Sequence, residues 1–281
     1  MSQKTIAFQG SLGANSDIAC RRVFPNLKTL PCASFEDAFA AVREGRARYA
    51  MIPIDNSVAG RVADIHHLLP NSKLHIVGEH FQRVEHCLVA PKGASLGSVK
   101  EVHSHVHALG QCRKFLKVQG YKAVVHPDTA GAAHDIALRN DKSVAAIASD
   151  LAAEIYGLKI LKRNIEDATH NTTRFIIMAR EPVDPDPDQG PVVTSFVFRV
   201  RSVPAALYKA LGGFATNGVN ITKLESYMID GRFTVAQFHA DVEGHPKQTA
   251  MKHAFEELKF FSDYFAVLGV YRAAEFRKSG K

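Results

Sequence analysis

This sequence of 281 residues lacks the sequence features of several common protein classes. No apolar run approaches the roughly 20 residues that a membrane-spanning helix needs. The first residues, MSQKTIAFQG, enter an apolar strand pattern without the segments of a signal peptide. The four cysteines are widely scattered, with no C-x-x-C pair and no spacing typical of a zinc site. We therefore expect a cytoplasmic protein with reduced thiols and no membrane contact.

Signs of nucleic-acid and nucleotide binding are missing as well. The formal net charge is +7, but lysines and arginines are dispersed, and no basic run is interleaved with aromatic residues. Neither glycine-rich loop that holds nucleotide phosphates, G-x-x-x-x-G-K-[ST] or G-x-G-x-x-G, occurs. We interpret the charge as a solvated basic surface, with attraction of a small polyanionic substrate as the functional alternative.

A change in composition divides the chain. Residues 181–191, EPVDPDPDQGP, contain four prolines, three aspartates and a glycine. Such a segment can continue neither a helix nor a central strand. It predicts a linker between a first domain, residues 1–180, and a second one that begins at residue 192.

Strand and helix patterns alternate before the linker. TIAFQG and YAMIPI are typical of strands, and SFEDAFAAVREG of a helix that Ser34 caps and Gly45 ends. SHVHALGQCRKFLKVQG predicts a helix that Ser104 caps and Gly120 ends, and a further helix begins at Thr129. This alternation predicts an α/β domain with mostly parallel sheets, in which ligands bind beyond the carboxyl ends of the strands.

The order of elements changes after the linker. VVTSFVFRV predicts a strand, and VPAALYKALGGFATNG a helix ended by Gly218. VNITKLESYM and RFTVAQFHADV predict a strand pair around IDG, followed by the helix PKQTAMKHAFEELKFF and the strand YFAVLGVY. The resulting order, βαββαβ, is that of ferredoxin-like domains.

Polar side chains stand at several predicted strand ends and helix starts of the first domain. Each one alone is explained by turn chemistry or helix capping. Together they predict a pocket lined with hydroxyls, amides and one carboxylate. The residues are Asp55, Asn56, Ser57, Ser104, Gln111, Thr129 and Thr173.

Three histidines in alternation, His103, His105 and His107, could ligate a metal if they lay on one continuous strand. The helical pattern that starts at Ser104 interrupts such a strand. We therefore predict histidines of a turn and a helix start, and no metal site.

Five motifs in a fixed order resemble those of bacterial prephenate dehydratases with a C-terminal ACT domain. The chain has FQGSLGANS, IPIDNSVAGRV for the P-I-E-N-S motif of the family, and SHVHALGQC for S-H-P-Q-A-L-x-Q-C. DTAGAA and NTTRF, the latter for N-x-T-R-F, follow. NGVNITKLESYM is similar to the ACT signature N-x-V-N-L-x-x-I-E-S-R-P except at its end. The resemblance extends over nearly the whole chain.

The resemblance implies a two-lobed catalytic domain, built like a periplasmic binding protein, followed by a ferredoxin-like ACT domain. One lobe would comprise residues 1–74 and 160–180, and the other residues 75–159. The linker would be residues 181–191, and the ACT domain residues 192–275. The implied activity is that of a carbon–oxygen lyase that converts prephenate into phenylpyruvate in phenylalanine biosynthesis and needs no cofactor.

The family also implies roles for individual residues. Thr173 would be the catalytic threonine, with Asp55 and Gln111 as further catalytic candidates. The remaining residues would bind the substrate, and Arg174 is our candidate for holding one of its carboxylates. These substrate-binding candidates are Asn56, Ser57, Ser104, Thr129 and Arg174.

Regulation is implied by the ACT domain. Such domains pair their sheets between subunits, so we expect a homo-oligomer, a dimer or a tetramer, that phenylalanine inhibits. The effector site would lie at the start of one helix and in the loop after it. Its candidate residues are Pro204, Ala205, Leu207, Asn217, Gly218, Val219, Asn220 and Ile221.

Two departures from the family pattern leave alternatives open. Asp55 stands where the family has glutamate, and Tyr227 and Met228 stand where it has arginine and proline. The first puts the role of the carboxylate in question, and the second the coupling of effector binding to catalysis. An arogenate dehydratase and a non-catalytic phenylalanine-sensing or solute-binding protein of the same fold are the rival functions.

Overall fold

The computed structural model describes residues 4–201, 203–229 and 236–279. The chain forms two compact units, each built from two segments: Met1–Arg61 with His80–Phe175, and Val62–Glu79 with Ile176–Lys281. In the described part of the chain, no helix has both the length and the apolar composition needed to cross a membrane.

The described residues contain fifteen strands and ten α-helices, besides short 3-10 helices. The strands are β1 (Thr5–Gln9), β2 (Lys28–Cys32), β3 (Tyr49–Asn56), β4 (Gly60–Arg61), β5 (His75–Arg83), β6 (Cys87–Ala90), β7 (Glu101–Ser104), β8 (Lys122–Val125), β9 (Val144–Ala148), β10 (Lys159–Lys162), β11 (Thr172–Ala179), β12 (Val192–Val200), β13 (Ile221–Met228), β14 (Ala236–Glu243) and β15 (Ser262–Arg272). The helices are α1 (Asn15–Val23), α2 (Phe35–Arg43), α3 (Ala63–Leu68), α4 (Val106–Gln111), α5 (Arg113–Gln119), α6 (Thr129–Arg139), α7 (Asp150–Ile155), α8 (Ala206–Thr216), α9 (Thr249–Phe261) and α10 (Phe276–Ser279).

The first sheet has the order β2-β1-β3-β11-β5, with the short β4 beside β3. β1 pairs in parallel with both β2 and β3. Ile6, Ala7 and Phe8 of β1 are completely buried, as expected for a central strand covered on both faces. The carboxyl end of β3 and the start of β11 thereby become neighbours.

The second sheet has the order β10-β6-β9-β7-β8. β7 is parallel to β8 and β9, whereas β6 runs antiparallel to β9 and β10. Two α/β sheets confirm the predicted two-lobed arrangement, but two strands differ from the predicted lobe limits. β5 lies in the first sheet because it pairs beside β11, and β10 lies in the second because it pairs with β6. The domain limits remain a prediction.

Several helix limits follow local signals, and one departs from them. Ser34 caps α2 by accepting a hydrogen bond from the Asp37 backbone N–H, and Gly120 ends α5 in the left-handed conformation, as predicted. The predicted helix start at Ser104 is wrong, because the N-cap of α4 is His105. The predicted helix is also broken at Cys112, whose φ of −119° is not helical. Ser104 ends β7 instead.

Besides the very short β4 and α10, the elements absent from the prediction are α1, β2 and β10. β2 contains Pro31, and of its five residues two are exposed, two are half-buried and only Cys32 is buried, so neither its propensity nor its pattern indicates a strand. α1 is polar, with Asp17, Arg21 and Arg22 in nine residues. Asp17 nevertheless is completely buried, where it accepts from Gly13 N and pairs with Arg21.

The four-stranded sheet of the second unit has the order β13-β14-β12-β15, all antiparallel. With α8 and α9 it confirms the predicted βαββαβ order of a ferredoxin-like domain. Its core is aromatic, and Phe196 lies 5.1–5.9 Å from the ring centroids of Phe214 and Phe255. Residues 230–235, which include most of the predicted turn IDG and the beginning of the strand predicted after it, lie outside the described residues.

Residues 62–79 belong to the same unit as this sheet. His66, 1% exposed, has its Nδ1 3.3 Å from Nδ1 of His239 on β14. Glu79 accepts from Arg277 through both carboxylate oxygens, at 2.6 and 2.9 Å. A segment that follows β4 in the chain is therefore held by side chains of the C-terminal domain.

Gly13 is expected to tolerate no side chain. Its φ is +86°, and a Cβ atom added there would lie 2.6 Å from the Ala152 Cα. Because backbone cannot yield as a side chain does, we expect Gly13→Ala to lower the free energy of unfolding by roughly 2 kcal/mol or more. Chemical unfolding of the full chain measures this loss.

The matched control is Gly120→Ala. Gly120 also has a positive φ, +69°, but nothing lies within 4 Å of the added Cβ. We expect only the penalty of the left-handed conformation, about 1 kcal/mol. Equal losses in the two variants would contradict a steric role for Gly13.

Candidate active site

The site is organised around Asn56 at the end of β3. Its Nδ2 donates to Thr173 Oγ1 at 2.9 Å and to Asn171 Oδ1 at 2.8 Å. Its Oδ1 accepts from the backbone N–H groups of Val58 and Ala59, at 3.0 and 2.8 Å. All hydrogen-bonding groups of this carboxamide are thus in use, and it fixes the start of β11 against the end of β3.

The same contacts determine whether the Thr173 hydroxyl donates or accepts in its bond with Asn56. A backbone N–H can only donate, so the Asn56 atom that meets two of them is the oxygen, and the atom that meets Thr173 is the nitrogen. Thr173 Oγ1 accepts that bond, which leaves its own proton for donation to another group. Thr173 is half-buried at the start of β11, so part of its side chain is accessible, although it is not among the residues that line the cavity beside Gln111.

Ser57 joins the same two chain segments. Its hydroxyl donates to the His170 carbonyl at 2.9 Å and accepts from the Thr172 N–H at 2.9 Å. The Ser57 N–H donates to the Thr172 carbonyl, also at 2.9 Å. In this structure the predicted substrate-binding hydroxyl holds the loop that leads into β11.

Asp55 and Arg174 form an ion pair beside this junction. Arg174 Nη1 lies 3.5 Å from Asp55 Oδ2, and the side chains are 7% and 28% exposed respectively. A buried guanidinium needs a counter-charge, so the Asp55 carboxylate neutralises Arg174. The cation predicted to hold a substrate carboxylate therefore already faces an anion of the protein.

Gln111, at the end of α4, meets two donors. Asn171 Nδ2 donates to Gln111 Oε1 at 2.9 Å, and His86 Nε2 lies 2.8 Å from the same oxygen. Asn171 and His86 are 1% and 3% exposed. Burial lowers the pKa of His86, partly offset by its hydrogen bond to Gln111. Gln111, Asn171, Asn56 and Thr173 are thus connected by hydrogen bonds.

A cavity of about 300 Å³ lies beside this network. Gln111 and Asn171 contribute to its wall, and the walls include apolar side chains and the acidic pair Glu166 and Asp167. None of the described residues that line it is lysine or arginine. The lining residues are Val58, Ala59, Val106, His107, Gly110, Gln111, Glu166, Asp167, Ala168 and Asn171.

Two predicted site residues lie elsewhere in the first unit. Ser104 is completely buried, and its hydroxyl donates to the Ile147 carbonyl at 2.7 Å. Thr129 begins α6, which Asp128 caps by accepting from the Gly131 N–H. Neither residue lines the cavity beside Gln111. Their substrate-binding roles remain predictions.

The predicted effector residues lie at the two ends of α8. Pro204 and Ala205 are exposed at its start, where Ala205 has a left-handed φ of +57°. At its end, Gly218 is also left-handed, and Asn220 Nδ2 donates to Glu243 Oε2 at 3.0 Å. Leu207, Asn217, Val219 and Ile221 are half-buried. Their effector role remains a prediction.

Of the alternating histidines, His105 lies at a helix start as predicted, whereas His103 lies in a strand and not in a turn. His103 lies in β7 near Glu101, at 3.5 Å. His105 caps α4, where burial and the neighbouring His107 lower its pKa. Within the part of the chain that the structure describes, no group of three or more His, Cys, Asp or Glu residues is arranged to hold a metal ion.

Sequence reasoning overlooked two members of the network, His86 and Asn171. Asn171 stands in the motif NTTRF, and its spacing two residues before Thr173 could have indicated a role. His86 directly precedes β6 in EHCLVA and carries no local signal. Its contact with Gln111 is a product of the tertiary fold.

Comparison with known proteins gives a consistent result. Residues 6–183 match the family described as prephenate dehydratase. A bifunctional N-acyl-homoserine lactone acylase/prephenate dehydratase of Komagataeibacter europaeus is 52% identical over 98% of both chains. Arogenate dehydratase/prephenate dehydratase 1 of Arabidopsis thaliana is 39% identical over 96% of this chain and 72% of its own. The crystal structure of prephenate dehydratase from Arthrobacter aurescens with L-Phe is 29% identical, with a TM-score of 0.88, over 96% of this chain and 90% of that one.

Proposed function

We propose, since the chain belongs to the prephenate dehydratase family, that it converts prephenate into phenylpyruvate. The observation that carries this proposal is the hydrogen bond from Asn56 to Thr173. It presents a threonine hydroxyl, in the N-x-T-R-F motif of the family, as a donor of fixed orientation. The experiment is the measurement of phenylpyruvate formed from prephenate by the purified full-length protein.

The proposed reaction needs no redox partner. The ring carboxylate leaves as CO2, and its bonding electron pair enters the ring as the ring hydroxyl departs. That hydroxyl takes up a proton and leaves as water, so the ring becomes aromatic. Developing negative charge on the departing oxygen is what a positioned donor stabilises. We assign this role to Thr173, whose own proton is available because Asn56 supplies the bond that it accepts.

Asp55 has two possible tasks in this scheme. It can supply or relay the proton to the leaving hydroxyl. It can also hold Arg174, at 3.5 Å, in a position to meet a substrate carboxylate. The two tasks differ in their kinetic signature, since loss of a proton donor lowers kcat, whereas loss of carboxylate binding raises KM.

Arogenate is the second candidate substrate, because of the acidic cavity wall. Glu166 and Asp167 line the cavity, and arogenate bears an amine where prephenate has a keto group. A cationic amine is attracted to carboxylates that would repel a second anion. Values of kcat/KM on both substrates decide between them. A Glu166→Gln variant should shift the ratio toward prephenate if this carboxylate recognises the amine.

Acylase activity is a further candidate, favoured by the 52% identical relative whose name includes it. Hydrolysis of the amide would release a fatty acid and homoserine lactone. Apolar side chains such as Val58, Val106 and Ala168 line the cavity and could accept an acyl chain. Mass spectrometry of both products, with acyl-homoserine lactone as the substrate, tests this activity separately from dehydration.

Regulation by phenylalanine is proposed from the ferredoxin-like domain, which we assign as an ACT domain that pairs between subunits. A chain cut near Glu181 would lose the partners of residues 62–79, including those of His66 and Glu79. A point change in the full chain is therefore the sharper test.

Asn220→Ala is expected to weaken inhibition by phenylalanine. If the exposed Asn220 contacts the charged amino acid, loss of one such hydrogen bond raises the inhibitory concentration roughly tenfold. Turnover without phenylalanine should not change, and Lys252→Ala, at an exposed position of α9, serves as the control. Unaltered inhibition of the Asn220 variant would place the effector site elsewhere.

A further inference from the structure

Only one assignment of donors and acceptors fits the hydrogen-bond network of the site. It is set by the backbone N–H groups of Val58 and Ala59, which can only donate and which both meet Asn56 Oδ1. The Asn56 nitrogen must therefore donate to Asn171 Oδ1. This assigns oxygen and nitrogen of the Asn171 amide in turn.

The same reasoning extends to Gln111 and His86. With its oxygen occupied by Asn56, Asn171 presents its nitrogen to Gln111, so the Gln111 atom 2.9 Å away is an acceptor oxygen. His86 Nε2 lies 2.8 Å from that same oxygen. Two acceptors do not bond, so Nε2 of His86 must carry a proton.

We propose that His86 is a positioning residue for the dehydratase reaction, because its Nε2–H holds the Gln111 oxygen and thereby directs the Gln111 amino group into the cavity as a donor. The proposal rests on the proposed function. Both lone pairs of Gln111 Oε1 are filled, by His86 and Asn171. The side chain can therefore offer a substrate only N–H groups, which suit a carboxylate, keto or hydroxyl oxygen.

The surroundings of His86 are consistent with a fixed ring. Its side chain is almost completely buried, and its backbone N–H donates to Glu166 Oε2 at 3.0 Å. Because burial lowers the pKa of His86, the ring is neutral near pH 7 and carries a single proton. That proton must then be on Nε2. An imidazole of fixed tautomer holds the Gln111 amide in one of its two orientations.

The tautomer can be measured without any substrate. Long-range proton–nitrogen correlation spectra of the full-length protein with labelled histidine distinguish a protonated Nε2 from a protonated Nδ1, and His86→Gln identifies the signal. We expect the Nε2–H form at neutral pH. A His86 ring protonated on Nδ1 alone overturns the proposal, whatever reaction the protein catalyses.

Kinetics of three variants test the positioning role. His86→Leu should lower kcat on prephenate roughly tenfold, the scale of one hydrogen bond. His86→Gln, which keeps an N–H donor, should recover most of this loss. In a His86→Leu/Gln111→Leu double variant, the loss should equal that of Gln111→Leu alone, since His86 acts through Gln111. Strictly additive losses, or no recovery in His86→Gln, contradict the proposal.

A matched pair elsewhere in the protein serves as the control. His80 Nε2 lies 3.4 Å from Gln82 Oε1 on β5, and neither residue lines the cavity. His80→Leu should leave kcat unchanged. If the proposed function is wrong, the unmodified protein will form no phenylpyruvate. The tautomer measurement tests the His86 proposal independently of that result.

Discussion

Thr173→Val is expected to lower kcat on prephenate roughly a hundredfold or more, the scale for a lost donor to developing negative charge. Valine preserves the size and β-branching of threonine. In this variant Asn56 Nδ2 loses the acceptor Thr173 Oγ1 but keeps the acceptor Asn171 Oδ1. The free energy of unfolding should therefore fall by only about 1 kcal/mol. KM should change little. Steady-state kinetics and chemical unfolding measure the two effects separately.

Two further variants serve as controls for this stretch. Thr173→Ser keeps the hydroxyl but frees its rotamer, so a measurable fraction of activity should remain. Thr172→Val changes the neighbouring side chain, which points to the other face of β11, and should be close to neutral. If Thr172→Val abolishes turnover and Thr173→Val does not, the donor is misassigned by one residue.

Asp55→Asn is expected to be the second most damaging change, with a loss of kcat of roughly a hundredfold if the carboxylate moves a proton. The variant also leaves Arg174, 7% exposed, without the carboxylate that lies 3.5 Å away. We therefore expect a loss of stability as well, on the order of 1–3 kcal/mol. A rise in KM at nearly constant kcat would instead assign Asp55 to holding Arg174.

Asp55→Glu is the matched conservative change, and it restores the residue of the family motif. The charge opposite Arg174 is kept, and the carboxylate moves outward by one methylene group. We expect the variant to remain active and folded. Equal turnover of the parent protein, Asp55→Asn and Asp55→Glu would show that the carboxylate has no part in the reaction.

Much of the fold follows from signals within a few residues of each other. Ser34 and Gly120 limit helices because caps and left-handed turns depend on adjacent backbone. The βαββαβ order follows from hydrophobic periodicity in the same way. Ser104 was misassigned because its hydroxyl bonds to Ile147, 43 residues away, and a distant carbonyl leaves no trace in the local pattern.

In the candidate site, too, some features follow from the local sequence and others from contacts between distant residues. The family and the residues of its motifs, among them Asn56, Gln111 and Thr173, follow from the order of residue types along the chain. How these residues act depends on contacts that form only on folding. Asn56 and Thr173 are 117 positions apart, and their bond exists because β3 and β11 are neighbours in one sheet. The directions of donation and the part of His86 depend on atoms brought together by folding, so composition and spacing do not reveal them.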